Sequence, residues 1–203
     1  MLVRRFIYPA ACVFIPCIVY QRILYRRWTP RERTNRANLA WRYAFILYLF
    51  LVMRAVGLGS VWDIAAYGVE LNWSQINLIP FGSEGVRTYL LNIALFMPLG
   101  FLLPLLWGRY RSGRRTALTG FLLSLSIELC QIFNHRLTDI DDILMNVLGT
   151  ALGYGLWRLL DRRAGIAPRE AGIFPDRAEL YLILAVLGSF FLFNWRLSVL
   201  MYR

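Results

Sequence analysis

Apolar runs of roughly 18 residues or more recur along the whole chain, and nothing else narrows its possible folds so far. A backbone at membrane depth has no water to satisfy its N–H and C=O groups, so runs of this length read as helices. Only 17% of the 203 residues are charged, against about a quarter in an ordinary soluble domain. The expected fold is therefore all-α: a polytopic membrane helix bundle of about six transmembrane helices, forming a single domain over residues 1–203. The candidate helices run about Phe6 to Leu24, Leu39 to Leu58, Thr88 to Trp107, Arg115 to Asn134, Asp139 to Leu160 and Leu180 to Leu200. The first carries Pro9 and Pro16 and does not read as a cleaved signal peptide. If it only lies in the interface, five spans remain.

All 23 basic residues are Arg, and the net charge is +11. In a soluble protein that excess would suggest nucleic acid. Here the arginines are spread over short loops between apolar runs, so the reading is topological and no nucleic-acid partner is expected. The Arg-rich loops 22–42, 108–115 and 158–179 are expected in the cytoplasm by the positive-inside rule. The other two connections hold Arg87 and Arg136 among several acidic residues, and both termini then fall outside. The expected location is the bacterial plasma membrane, with membrane lipids as partners. Cys12, Cys17 and Cys130 have no zinc-ligand spacing and read as small apolar filler.

The connection Gly59 to Arg87 carries Trp62, Tyr67 and Trp73, aromatics that favour the membrane–water boundary. It is expected to hold a short interfacial helix.

Against this apolar background, one stretch is polar. Ser124, Glu128, Gln131 and His135 are spaced four, three and four apart, on one helix face. Asp139, Asp142, Asn146, Gly149 and Gly153 share a face of the next helix. A short turn joins the two, which makes antiparallel neighbours. Glu128 and Asn146 then lie at similar depth, about 9–10 Å from the turn at the helical rise. Arg136 and the aspartates would form the mouth of this pocket. An ionisable residue at such depth is a functional-site hypothesis by default. Asn92 and Arg54 are candidate contributors from two other helices. Two structural readings stand beside this one. Glu128 and Gln131 could hold helices together, and Asp139 could be an N-cap, with Asp141 and Asp142 at the positive end of the helix dipole. The glycines permit close backbone approach.

The same residues carry a resemblance. Asn92 to Gly100, Glu128-(x)2-Gln131, and Arg136-(x)2-Asp139-(x)2-Asp142-(x)3-Asn146-(x)2-Gly149 resemble the VanZ-like family of bacterial membrane proteins. Asn77 to Phe81 also resembles that family's stretch before its central helices. The resemblance covers about residues 77–157. It implies a membrane protein of the cell envelope, in a family named for a protein that raises resistance to teicoplanin-type glycopeptides. It brings no catalytic assignment.

Three functions are open at this point. The first is an envelope protein that binds a lipid-linked envelope precursor or lipoglycopeptide in an outward-facing polar pocket, with no cofactor. Its functional set is Glu128, Gln131, Arg136, Asp139, Asp142 and Asn146, supported by Asn92. The second is a membrane-embedded enzyme acting on a lipid-linked envelope precursor, in which Asp139 and Asp142 hold a divalent metal. The third is a small transporter using Glu128. The almost wholly apolar inner halves of the helices and the lack of an inverted repeat count against it.

Overall fold

In a computed structural model, the described residues are 4–27, 36–68, 76–77, 79–81, 85–134, 138–166, 177–194 and 196–197. The principal elements are α1 (Arg4–Arg27), α2 (Arg36–Val56), a short α3 (Val61–Tyr67), β1 (Ile76–Asn77), α4 (Val86–Leu106), α5 (Gly113–Gln131), β2 (Thr138–Asp139), α6 (Ile140–Ala164) and α7 (Ala178–Leu187). A π-helical turn, Gly188–Leu192, continues α7. All six expected helices are present, and α3 supplies the short helix expected between Gly59 and Arg87.

Among the described residues, four segments are long and apolar enough to cross a membrane: Phe6–Arg26, Leu39–Ala65, Val86–Leu106 and Ile140–Ala164. The protein is membrane-embedded. The first of these keeps Pro9 and Pro16 inside one continuous helix. Helix α5 has 19 residues, but Arg114, Arg115, Ser124, Glu128 and Gln131 lower its hydropathy. The last apolar helix is shorter, Ala178–Leu192.

The chain groups into two compact units. One comprises Met1–Asn72, Leu129–Arg136 and Glu179–Arg203. Its core holds Val13 and Cys17 of α1, Phe45, Leu49 and Val52 of α2, and Tyr181 and Ala185 of α7. The π turn leaves carbonyls for side-chain donors. Tyr8 Oη donates to the Leu192 carbonyl at 2.6 Å, and Trp62 Nε1 to the Phe191 carbonyl at 3.1 Å. At the start of α3, Asp63 Oδ2 accepts from both the backbone N–H and the hydroxyl of Ser60, closing a helix end that would otherwise carry orphan donors.

The other unit comprises Trp73–Glu128 and Leu137–Ala178. Its centre is the packing of α4 against α6. A Cβ added at Gly149 would strike the Ile93 carbonyl, and one at Gly153 the Met97 carbonyl. From the opposite side, a Cβ at Gly100 would meet the Thr150 carbonyl. The Gly149-Thr150-Ala151-Leu152-Gly153 stretch therefore forms a small-residue groove, the device that lets helix backbones approach where lipid supplies no hydrophobic drive. Thr150 sits at the junction: its methyl and hydroxyl also face Gly120 of α5. Phe96, Leu99, Leu103, Ile127 and Trp157 fill the surrounding core.

Candidate functional site

The site begins where β1 and β2 pair. They form a two-residue parallel ladder, with Ile76 opposite Thr138 and Asn77 opposite Asp139. This brings the Asn77–Phe81 segment to the start of α6. Asn77 Oδ1 accepts from the Ile79 N–H at 3.1 Å, a local turn that asparagine favours. Its Nδ2 donates to Asp139 Oδ2 at 3.0 Å. Asp139 is the N-cap of α6, and its Oδ1 accepts from the Asp141 N–H at 2.9 Å.

Asp141 is fully buried. Its two oxygens accept from the Phe81 N–H at 2.9 and 2.8 Å, and Oδ2 also accepts from Tyr89 Oη at 2.7 Å. Asp142, the next residue, turns to a different partner and accepts from Asn92 Nδ2. Tyr89 and Asn92 are three apart on α4, one turn of one face, so adjacent donors meet adjacent carboxylates. All three aspartates lie at the N-cap or in the first turn of α6, where the helix dipole favours negative charge.

Deeper along the pair, Asn146 Nδ2 donates to Ser124 Oγ at 2.9 Å, and the Asn146 carbonyl accepts from Thr150 Oγ1. Glu128 lies one turn beyond Ser124 on α5 and is 2% exposed. Asn146 is 3% exposed, and its side-chain Oδ1 has no hydrogen-bond partner among the described residues.

Of the expected set, Asn92 and Asp142 are directly bonded, Asp139 is tied to the Asn77 loop, and Asn146 is bonded to Ser124. Gln131 belongs to the other unit, where its Nε2 donates to the Val56 carbonyl at the end of α2 at 2.7 Å. Arg136 and His135 lie outside the described residues. Arg54 is exposed, with its guanidinium carbon 5.5 Å from the centre of the Phe6 ring. Among the described residues, no three His, Cys, Asp or Glu side chains converge as a metal-binding group. Asp139 and Asp142 each engage an amide donor.

Sequence reasoning did not foresee the parts of Asn77, Tyr89 and Asp141. Asp141 stands off the helical stripe of Asp139, Asp142 and Asn146, and its partners come from the preceding loop and helix. The available signal was the Asn77–Phe81 segment, whose polar head and Pro80 mark an ordered turn.

The membrane-embedded fold and this site at the head of α6 define a helical membrane protein with a cluster of buried polar side chains. A model of the VanZ/LLP1 family matches residues 45–161, more than half of the chain, so the protein belongs to that family. The match begins within α2, further toward the N-terminus than the motifs that carry the resemblance. No curated protein and no solved structure matches the chain.

Proposed function

We propose that the protein acts in the bacterial cell envelope by binding a lipid-linked or amphiphilic ligand in an outward-facing polar pocket formed around α4, α5 and α6. We further propose that this binding raises tolerance to teicoplanin-type glycopeptides. The pocket residues are Asn92, Asp139, Asp142, Asn146 and Glu128. Ser124 positions the Asn146 amide.

The buried Asn146 Oδ1 is the observation that carries this reading. An acceptor left without a donor in a low-dielectric interior costs free energy, and a ligand hydroxyl or amine would satisfy it. The neighbouring carboxylates of Glu128 and Asp142 favour the same donor-rich or cationic chemistry. The Arg-rich loops 22–42, 108–115 and 158–179 support a plasma-membrane orientation with those loops cytoplasmic. Arg136, placed by sequence beside Asp139, would meet an anionic part of such a ligand.

The test is susceptibility to teicoplanin beside vancomycin in a Gram-positive host. It compares the wild-type chain with Glu128→Gln and Asp142→Asn at matched membrane abundance. Wild type should raise teicoplanin tolerance, and both variants should lose it. A wild-type chain that changes neither susceptibility nor envelope composition would refute the proposal. A membrane-embedded enzyme would show itself differently, through a changed lipid-linked precursor and dependence on a divalent metal.

A further inference from the structure

A cavity lies in the unit that contains α1, α2 and α7. It has a volume of about 180 Å³ and is lined by Gln21, Arg22 and Tyr25 of α1 and by Leu39 and Tyr43 of α2. These residues lie at the ends of α1 and α2 that flank the Arg-rich loop. Arg22 and Tyr43 are exposed, whereas Gln21 is 1% exposed and forms the buried end of the lining.

The polarity of that buried end can be derived. Arg42, also fully buried, donates through Nη1 to Tyr181 Oη at 3.5 Å. A guanidinium has donors only, so the tyrosine oxygen is the acceptor there. The Tyr181 hydroxyl must then send its own proton onward, and it does so to Gln21 Oε1. This chain sets the orientation of the Gln21 amide: its oxygen faces Tyr181, and its NH2 group faces away. Gln21 Nε2 has no hydrogen-bond partner among the described residues. Among the residues that line the cavity, Gln21 therefore carries a buried donor in want of an acceptor.

We infer that this cavity binds the phosphate-bearing head group of a lipid with net negative charge, with Gln21 Nε2, the Arg22 guanidinium and the Tyr43 hydroxyl as its donors. The Gln21 amide supplies a buried neutral donor, and Arg22 supplies the charge-assisted contact. The buried Arg42 adds positive field behind them. Basic pockets between membrane helices suit phospholipid head groups for this reason. The exposed apolar side chains of Ile15, Val19 and Ile23, on the same helix as Gln21, offer a surface for the acyl chains. This site shares no residue with the proposed polar pocket.

The experiment uses the full chain in a zwitterionic detergent and reads its thermal unfolding temperature. Mixed micelles with phosphatidylglycerol, mixed micelles with phosphatidylcholine, and inorganic phosphate are titrated separately. Phosphatidylglycerol should raise the unfolding temperature saturably, and phosphatidylcholine should not. Arg22→Gln, a change at an exposed position, should shift the half-saturating phosphatidylglycerol fraction about tenfold upward, as expected for losing one charge-assisted contact. Arg22→Lys should restore most of the response. Gln21→Leu should blunt the response and also lower the lipid-free unfolding temperature, because it takes the acceptor from the buried Tyr181 hydroxyl, so the exposed Arg22 variants carry the test. A saturable response to inorganic phosphate that Arg22→Gln also weakens supports the same donor set, with free phosphate as the source. Equal responses to both lipids, or a phosphatidylglycerol response unchanged in Arg22→Gln, would overturn the inference.

Discussion

Asp141 holds Phe81 by its backbone: both carboxylate oxygens accept from the one Phe81 N–H, at 2.9 and 2.8 Å. Phe81 needs such a hold. Its φ of +62° lies in the left-handed region, which a bulky side chain seldom occupies. Its ring meets the Tyr89 ring edge-on, with centroids 6.2 Å apart, and Tyr89 in turn donates to Asp141. The three residues close a ring of contacts between the loop, α4 and the head of α6.

Replacing Asp141 with Asn should break this ring. An amide keeps one acceptor oxygen and turns an N–H group toward the donors that remain. With Asp141 buried, the expected loss is about 2–3 kcal/mol, the cost of a buried group left unsatisfied. Thermal unfolding in detergent reads it. An unchanged unfolding temperature would mean that the loop is held by something other than Asp141.

The backbone at Phe81 can be tested separately. Phe81→Asn should lose only the ring contact with Tyr89, because asparagine tolerates a positive φ. Phe81→Val should lose about 1–2 kcal/mol, since a β-branched residue resists that conformation. The order of the two unfolding temperatures decides the point, because both variants lose the ring contact with Tyr89.

Two glycines two residues apart should behave oppositely. A Cβ at Gly153 meets the Met97 carbonyl, whereas one at Gly155 meets nothing within 4 Å. Gly153→Ala should force α4 and α6 apart, costing about 2 kcal/mol, within the range known for overpacking. Gly155→Ala should stabilise by about 0.5–1 kcal/mol through helix propensity. Unfolding temperatures of the two variants, measured side by side, check the packing of this helix pair.

Ser124 and Asn146 form a closed test. Ser124→Ala should leave the Asn146 Nδ2 without its partner and cost about 1 kcal/mol, typical of a polar contact between membrane helices. Adding Asn146→Leu should recover most of that loss, because removing both partners leaves nothing unsatisfied. The double variant should nevertheless lack the glycopeptide tolerance assigned to the wild type. Stability and function would then separate in one pair of measurements.

The helices were legible in the sequence because long apolar runs in lipid have few backbone solutions. Asp139 as an N-cap was equally legible, since the capping preference is local, and the glycines of α6 announced a close neighbour. That this neighbour is α4, through Ile93 and Met97, could not be read from spacing within α6. Gln131 has a partner that spacing within α5 does not name. It shares a helical face with Glu128, but α5 ends at Gln131 and the chain tightens into a 3-10 turn at Ile132–Asn134. At a helix end the side chain serves whichever orphan carbonyl is nearest, here that of Val56. Asp141 was hidden for a related reason. A residue in the first turn is recruited by the loop before it, and helical phase says nothing about that loop.

The ladder between β1 and β2 has a consequence for how the protein is made. Asn77 finds its partner Asp139 62 positions later in the chain. At ribosomal speeds of about 5–20 residues per second, Asn77 is added to the chain roughly 3 to 12 s before that partner exists. During this interval α4 and α5 are synthesised while the Asn77–Phe81 turn lacks both of the carboxylates that later fasten it. The head of α6 is therefore a late-arriving fastener, and the loop reaches its finished shape only once the fifth long helix has entered the membrane.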